Sequence, residues 1–261
     1  FNILGGACLS MAVKYASSHN IKARDTLLHF LDVMMVISMS PANNYDQKTA
    51  YNSASNIQNL LALCLSLVMA GSGDLETFRR LRILHSETHK EMGYGNYQAI
   101  NMALGFLFLG GGQYAFANSN FAIACLLISL YPVYPNENTD YEIHLQALRH
   151  FWALSAEPRC LVIRDVNTRK ASKIPVIMHL KNGEVIETLS PCLLPHLDEI
   201  ISISTKSPDH FNVKVDFELN SEYLEIFKKS LTIFVYKRRN YQLLKSSVNE
   251  LLNNENKLLQ I

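Results

Sequence analysis

Three stretches of this chain are apolar on nearly every side of a helix, and each closes on small residues. They are Cys8-Leu9-Ser10-Met11-Ala12-Val13-Lys14-Tyr15-Ala16-Ser17, Ala62-Leu63-Cys64-Leu65-Ser66-Leu67-Val68-Met69-Ala70-Gly71 and Ala103-Leu104-Gly105-Phe106-Leu107-Phe108-Leu109-Gly110-Gly111-Gly112. Each reads small, Leu, small, apolar, and ends in two small residues. Their starts lie 54 and 41 residues apart. A period near ~40 residues with one insertion fits an array of helical hairpins. A helix that is apolar all round must be covered by neighbours all round. The small first and third positions let helix backbones approach closely, and the closing small pair suits a helix C-terminus, where a left-handed residue is common. The polar segment Ser40 to Ser53, with Pro41, Asn43 and Asn44, reads as the insertion. Lys14 and Tyr15 break the apolar run of the first window.

More amphipathic partners follow the apolar windows. Asp74 is a candidate N-cap, and Leu75, Phe78, Leu81 and Leu84 mark one face beyond it, with Arg79, Arg80, Arg82 and Glu87 on others. Ser119 opens the run Phe121 to Tyr131, which Pro132 and Pro135 stop. Tyr141, Leu145, Leu148 and Trp152 then fall on one helical stripe. The unit is therefore an apolar inner helix, a Gly/Ser turn and an outer helix.

From about Glu157 and Pro158 the texture changes to Val, Ile, Thr and Pro. Val176 to Leu180 and Glu184 to Leu189 flank Lys181-Asn182-Gly183, a strong hairpin signal. Cys160 to Val166, Ile200 to Ser204, Asn212 to Leu219 and Leu231 to Tyr236 are further strand candidates. In Asn212 to Leu219, Val213, Val215, Phe217 and Leu219 alternate with Lys214, Asp216 and Glu218, as in a sheet with one buried face. Leu244, Val248, Leu251, Leu252, Leu258 and Leu259 form an amphipathic terminal helix. The predicted fold class is α+β: a helical-hairpin repeat region over residues 1–157, then a β-rich domain over residues 158–261 closed by a helix.

Charge narrows the function classes. Twenty-four basic and 23 acidic residues leave a net charge of +1, which argues against a nucleic-acid or anionic-membrane binder working through bulk charge. Hydrophobic residues make up 48% of the chain and charged ones 18%, enough apolar surface for a large core. No charged residue falls between Glu91 and Glu137. Yet the apolar runs inside that stretch, Met102 to Leu109 and Phe121 to Tyr131, are shorter than the ~20 residues a spanning helix needs. Cys8, Cys64, Cys125, Cys160 and Cys192 include no Cys-x-x-Cys pair and read as small hydrophobes in a reducing compartment. The chain opens at Phe1 rather than Met, which suggests a fragment.

Candidate chemistry is sparse. His85, Glu87 and His89 form His-Ser-Glu-Thr-His, and two His at i and i+4 can share a metal. The zincin pattern, however, needs Glu where Ser86 stands, and no third ligand suggests itself. His144 and His150 do not share a face. Gly110-Gly111-Gly112 lacks the Lys-Ser/Thr of a phosphate loop, and Gly93-Tyr94-Gly95 lacks the last glycine of a dinucleotide fingerprint. Glycines ending a packed helix account for both. Asp198 and Glu199 read as a loop or a strand approach. The expected catalytic, cofactor and metal residues are therefore none. Arg164, Arg169, Lys170 and Lys173, then Lys228 and Lys229, then Lys237, Arg238 and Arg239 form basic clusters. They read as solvated strand ends and turns, or as a surface for an acidic patch on a protein partner.

The windows Leu63 to Asp74 and Ala103 to Gly112 resemble proteasome/cyclosome repeats, the family found in the largest non-ATPase subunits of the proteasome regulatory particle and in the largest subunit of the cyclosome. Tyr94-Gly95-Asn96-Tyr97, Ala103 to Gly112, His144-Leu145-Gln146-Ala147-Leu148-Arg149-His150 and Ala156-Glu157-Pro158-Arg159 resemble the cyclosome branch, over about Leu4 to Asp165. The resemblance implies an α-solenoid ring and a non-catalytic scaffold of the anaphase-promoting complex, a ubiquitin ligase of the cell cycle. Its implied partners are platform subunits, the cullin and RING catalytic module, tetratricopeptide-repeat subunits and a coactivator. Its implied location is the nucleus and cytoplasm. The competing readings are a proteasome regulatory scaffold, a metal- or thiol-dependent enzyme using His85, His89 or a cysteine, and a coactivator- or degron-binding module using the basic clusters.

Repeats bury their faces only against neighbours, and three are too few to close a ring. The chain expressed alone is therefore expected to aggregate. Size-exclusion chromatography checks this, and a monodisperse, cooperatively folding product would count against it.

Overall fold

The computed structural model describes residues 1–40, 43–91, 94–135, 147–219 and 221–238. The fold is α+β. The chain forms two compact units: Phe1–Cys160 with Leu193–Glu199, and Leu161–Cys192 with Ile200–Ile261.

In the first unit, the three windows fall on α1 (Asn2–Lys14), α3 (Tyr45–Val68) and α5 (Tyr94–Leu107). Each of the first two is followed by a partner, α2 (Ile21–Met39) and α4 (Leu75–Glu91). Helix α3 packs against both α1 and α5, which make no comparable contact with each other, and α2 touches α4. Every residue from Ile57 to Gly71 is buried. Complete enclosure holds for this middle window alone. In the flanking windows Ser10 and Lys14, then Gly105, Phe108 and Gly110, are exposed. The expectation that all three are covered on every side is corrected accordingly.

The inner helices are joined by a recurring pair of backbone hydrogen bonds. Past the end of α1, the Ser17 and His19 amides donate to the Leu67 and Val68 carbonyls at 2.8 and 3.2 Å. Past the end of α3, the Gly71 and Gly73 amides donate to the Phe106 and Leu107 carbonyls at 3.0 Å each. All four donors have positive φ. This turn lets the chain reverse while aiming its amides at the next helix. The equivalent donors are 54 residues apart (17 to 71, 19 to 73) and the equivalent acceptors 39 (67 to 106, 68 to 107). The third window thus sits two residues away from the register of its sequence alignment.

Local signals explain the helix starts. Asn20 accepts from the Ala23 amide at 3.0 Å, Asp74 from the Thr77 amide at 2.9 Å and Ser119 from the Ala122 amide at 3.2 Å, each satisfying an orphan donor. On α4, Thr77, Leu81 and Leu84 are buried while Leu75 is 66% exposed, so Leu75 leaves the predicted stripe. The polar insertion is in part helix, since α3 begins at Tyr45 with a capping box at Asn44 and Gln47.

After α5 come β1 (Tyr114–Phe116) and α6 (Asn120–Ser129), then a 3-10 segment over Leu148–Ser155 leading into β2 (Ala156–Pro158), which pairs antiparallel with β1. The predicted stripe through Trp152 changes character here. A 3-10 helix has three residues per turn, so Arg149, Trp152 and Ser155 turn inward. Leu148, Phe151 and Leu154 turn outward. Trp152 meets Phe106 edge-on, with centroids 5.4 Å apart. Tyr141 and Leu145 lie outside the described residues.

The second unit holds β3 (Cys160–Asp165), β4 (Pro175–Leu180), β5 (Val185–Leu189), β6 (Cys192–Leu193), β7 (Ile200–Thr205), β8 (Lys214–Asp216), α7 (Ser221–Ser230) and β9 (Thr232–Val235). One sheet runs β5-β4-β7-β8 and the other β6-β3-β9. The Asn182-Gly183 hairpin joins β4 and β5 in antiparallel register, Val176 opposite Thr188. Strand β8 is shorter than its alternation predicts. The Asp216 carboxylate accepts the Glu218 and Leu219 amides, a local turn that ends the strand and leaves Leu219 87% exposed. The predicted helix at Leu244 to Leu259 lies outside the described residues.

Gly71 has φ +74°, and a Cβ there would fall 2.2 Å from the Tyr114 carbonyl oxygen. Gly71→Ala is expected to destabilise the first unit by at least about 2 kcal/mol, and Leu63→Ala, in the enclosed helix, by about 2–5 kcal/mol. Both should show as accelerated limited proteolysis of the full-length protein.

Candidate interaction surface

The polar side chains buried in the first unit hold helix ends. A helix leaves its last carbonyls without intrahelical partners. Past α1, the Ala16 carbonyl accepts from His196 Nε2 at 3.1 Å, and Arg159 Nη2 donates to the Ser17 and Phe116 carbonyls at 3.4 and 2.8 Å. Past α3, the Ala70 carbonyl accepts from His19 Nε2 at 3.0 Å. Ser17 Oγ accepts the Phe116 amide at 2.7 Å. Arg159 is 0% exposed and forms an ion pair with Glu157. At the other end of the unit's chain, the Arg149 guanidinium donates to the Ser129, Tyr131 and Val133 carbonyls where α6 ends and lies 4.1 Å from the Tyr134 ring centroid.

Burial sets the titration of these groups. It pushes Arg159 down to about 10, against the pull of Glu157 and Glu199. Burial, joined by the Arg159 charge, pushes His196 down to about 4, and burial likewise lowers His19. Both imidazoles are neutral at pH 7 and donate from Nε2, since a carbonyl can only accept.

The sequence candidates scatter. His85 lies on α4 with its ring 5.7 Å from that of Tyr97, while the side chains of Glu87 and His89, and all of His144, lie outside the described residues. His150 is exposed on the 3-10 segment. Among the described residues no group of three His, Cys, Asp or Glu side chains is placed to hold a metal. Gly110, Gly111 and Gly112 all have positive φ just past α5, as helix-ending glycines should. Gly95 differs. It stands in the first turn of α5, its amide donates to the Pro135 carbonyl at 2.9 Å, and a Cβ would lie 2.4 Å from that of Tyr134. Close approach, not helix termination, explains it. Asp198 and Glu199 are exposed on a 3-10 turn. No disulfide among the described residues joins the cysteines. Cys8, Cys64 and Cys125 are buried, but Cys160 and Cys192 are only half-buried. Burial raises the Cys8, Cys64 and Cys160 thiols, which makes them poor nucleophiles. No described helix is long and apolar enough to cross a membrane.

Amid a largely polar surface, the first unit exposes apolar side chains in two places. On α1, Ile3 is 91% exposed, and Gly6, Ala7 and Ser10 continue the same smooth face. On α6, Phe121, Leu127 and Ile128 are exposed, and Leu148, Phe151 and Leu154 are exposed on the 3-10 segment that packs against it. Contiguous exposed apolar surface of this kind marks interaction sites. The sequence patterns missed the carbonyl-holding residues, because their acceptors are remote in the chain. Ala156-Glu157-Pro158-Arg159 signalled the family without showing what Arg159 does.

An α+β domain with these features has its relatives among large mitotic proteins. A protein of Emericella nidulans described as a negative regulator of mitosis is 42% identical over 92% of this chain and 12% of its own length. The anaphase-promoting complex subunit 1 of Schizosaccharomyces pombe is 40% identical over 91% of the chain and 16% of its own length. The Homo sapiens subunit 1 is 37% identical over 89% and 12%. The family model of the APC1 fifth domain matches residues 1–157, and the chain belongs to that family. It spans only 12 to 16% of the length of these three relatives.

His196 and His19 bind protons less readily folded than unfolded. Stability is therefore fully present above about pH 6.5 and is lost as the pH falls toward about 4. The His196 shift, from 6.5 to about 4, corresponds to at most about 3 kcal/mol. Hydrogen exchange at Ser17 and His19, corrected for intrinsic rates, should rise between pH 7 and about 5. His196→Gln should flatten that rise.

Proposed function

We propose that the chain is a non-catalytic scaffold segment of the anaphase-promoting complex, acting as part of a proteasome/cyclosome-type solenoid in a ubiquitin ligase. The observation that carries this reading is the recurring amide pair, Ser17 and His19 onto α3, then Gly71 and Gly73 onto α5. It makes each inner helix the template for the next. A solenoid needs such a nearest-neighbour contact. The enclosed middle helix, with open apolar faces on its flanks, is what a short run of such repeats presents. Membership of the APC1 fifth-domain family and the relatives' names support the assembly. In this reading the partners are platform subunits, the cullin and RING module, tetratricopeptide-repeat subunits and a coactivator, and the protein works in the nucleus and cytoplasm without a cofactor of its own.

The open face of α1 supplies the test. Outside its own helix backbone and chain neighbours, no described residue lies within 4 Å of a Cβ placed on Gly6. Gly6→Leu should leave the chain's own packing unchanged and obstruct the helix that covers this face in the full-length protein. Tagged wild-type protein should co-purify with cullin and RING subunits by mass spectrometry, and Gly6→Leu should deplete them. Recovery of proteasomal ATPases instead, or stoichiometric zinc in the purified chain, would overturn the reading.

A further inference from the structure

The second unit carries an arginine–aromatic face that the scaffold reading does not use. On β9, Ile233 and Val235 are buried, while Phe234 is 44% exposed and Tyr236, just beyond, 56%. Arg164 on β3 stands opposite Phe234 in the parallel register. Its Nη1 donates to the Arg169 carbonyl at 3.0 Å, and the Arg169 guanidinium lies 5.5 Å from the Phe234 ring centroid. The Phe211 amide donates to the Tyr236 carbonyl at 2.9 Å, which sets a 57% exposed ring beside that strand end. The Arg238 guanidinium lies 5.5 Å from the Phe211 centroid, and its Nε donates to the His210 carbonyl at 3.0 Å.

Each guanidinium is thus held by a ring, a carbonyl or both, and keeps N–H groups for a ligand. Two ion pairs among the described residues of this unit, Lys214–Asp216 and Lys228–Glu225, involve other cations. Among the described residues none of Arg164, Arg169 and Arg238 pairs with a carboxylate. Lys170, Lys173 and Lys237 are exposed close by in the chain.

We propose that this face, Arg164, Arg169, Phe234, Tyr236, Phe211 and Arg238, docks an extended acidic segment of a partner protein. Positively charged ends with rings between them call for a complementary charge order. Alternate residues of an extended chain are about 6.6 Å apart. A peptide reading acidic, any, apolar, any, acidic therefore lays a carboxylate on the Arg164 and Arg169 pair, an apolar side chain on Tyr236 and Phe211, and a second carboxylate on Arg238. Guanidinium takes carboxylate in a two-pronged hydrogen bond, and rings bring area at little entropic expense.

The experiment uses full-length protein and a fluorescein-labelled peptide with the core Glu-Ser-Phe-Ser-Glu, read by fluorescence anisotropy. Binding should weaken with added salt. A peptide with Gln for both Glu, and the protein variant Arg169→Glu with Arg238→Glu, should each bind about tenfold more weakly or less. Arg169→Gln with Arg238→Gln should also lose affinity, with an unchanged thermal melt. Equal binding of the Gln peptide, or unchanged affinity in the variants, overturns the proposal. So does a single-stranded oligonucleotide that displaces the peptide and binds more tightly. Co-purification with ligase subunits should be the same for wild type and variants, which keeps this test separate from that of the scaffold reading.

Discussion

Carbonyl oxygens at the ends of buried helices must find donors, and this requirement organises the first unit. Helix α3 is enclosed through its last three turns, so water cannot serve its terminal carbonyls. Its donors come from the turn after α1: the Ser17 and His19 amides reach Leu67 and Val68. The turn after α3 does the same for α5. A buried unpaired carbonyl costs about as much as a lost hydrogen bond, roughly 1–3 kcal/mol. Four such pairs fix the spacing and order of three helices whose apolar surfaces alone would slide. Hydrophobic burial is non-directional, and the amides supply the direction.

That division of labour explains what could be read from the sequence. The C-terminal half of α3 was legible because it is apolar on all sides, whereas its polar start from Tyr45 read as an insertion; the β4–β5 hairpin was legible because Asn182-Gly183 needs only local geometry, with Gly183 at φ +83°. The register of the third window was not. It is set by which carbonyls the Gly71 and Gly73 amides reach, and composition is blind to that. The Leu148–Ser155 segment misled for a similar reason. A period of three and a period of 3.6 differ by about 20° per residue, so across eight residues they drift about 140° apart and exchange the inward face. Of the carbonyl-holding side chains, His196 was the least legible. Its acceptor at Ala16 is 180 residues away, and nothing local to either position predicts the meeting.

The titratable groups that lie deepest in the first unit are engaged in structure. Arg159, Arg149, His19 and His196 all point at backbone oxygens, and burial holds the two imidazoles neutral. A general base near neutral pH needs a pKa close to the working pH and an open path to substrate. His196, at about 4 and bonded to Ala16, offers neither. The second unit, by contrast, keeps the Arg164, Arg169 and Arg238 guanidinium groups on its surface, none of them paired with a carboxylate among the described residues.

Two adjacent glycines stand near the start of α1. Each costs a helix interior about 0.5–1 kcal/mol relative to alanine. Gly5 has its reason inside the chain: a Cβ there would lie 2.6 Å from Ile57 Cδ1, in the contact between α1 and α3. Gly6, one residue on and so about 100° round the helix, has no described neighbour within 4 Å of such a Cβ outside its own helix backbone and chain neighbours. It continues into Ala7 and Ser10, a face of small side chains beside the 91% exposed Ile3. Helix α1 thus carries small side chains both where it admits α3 and on a face that no described residue covers.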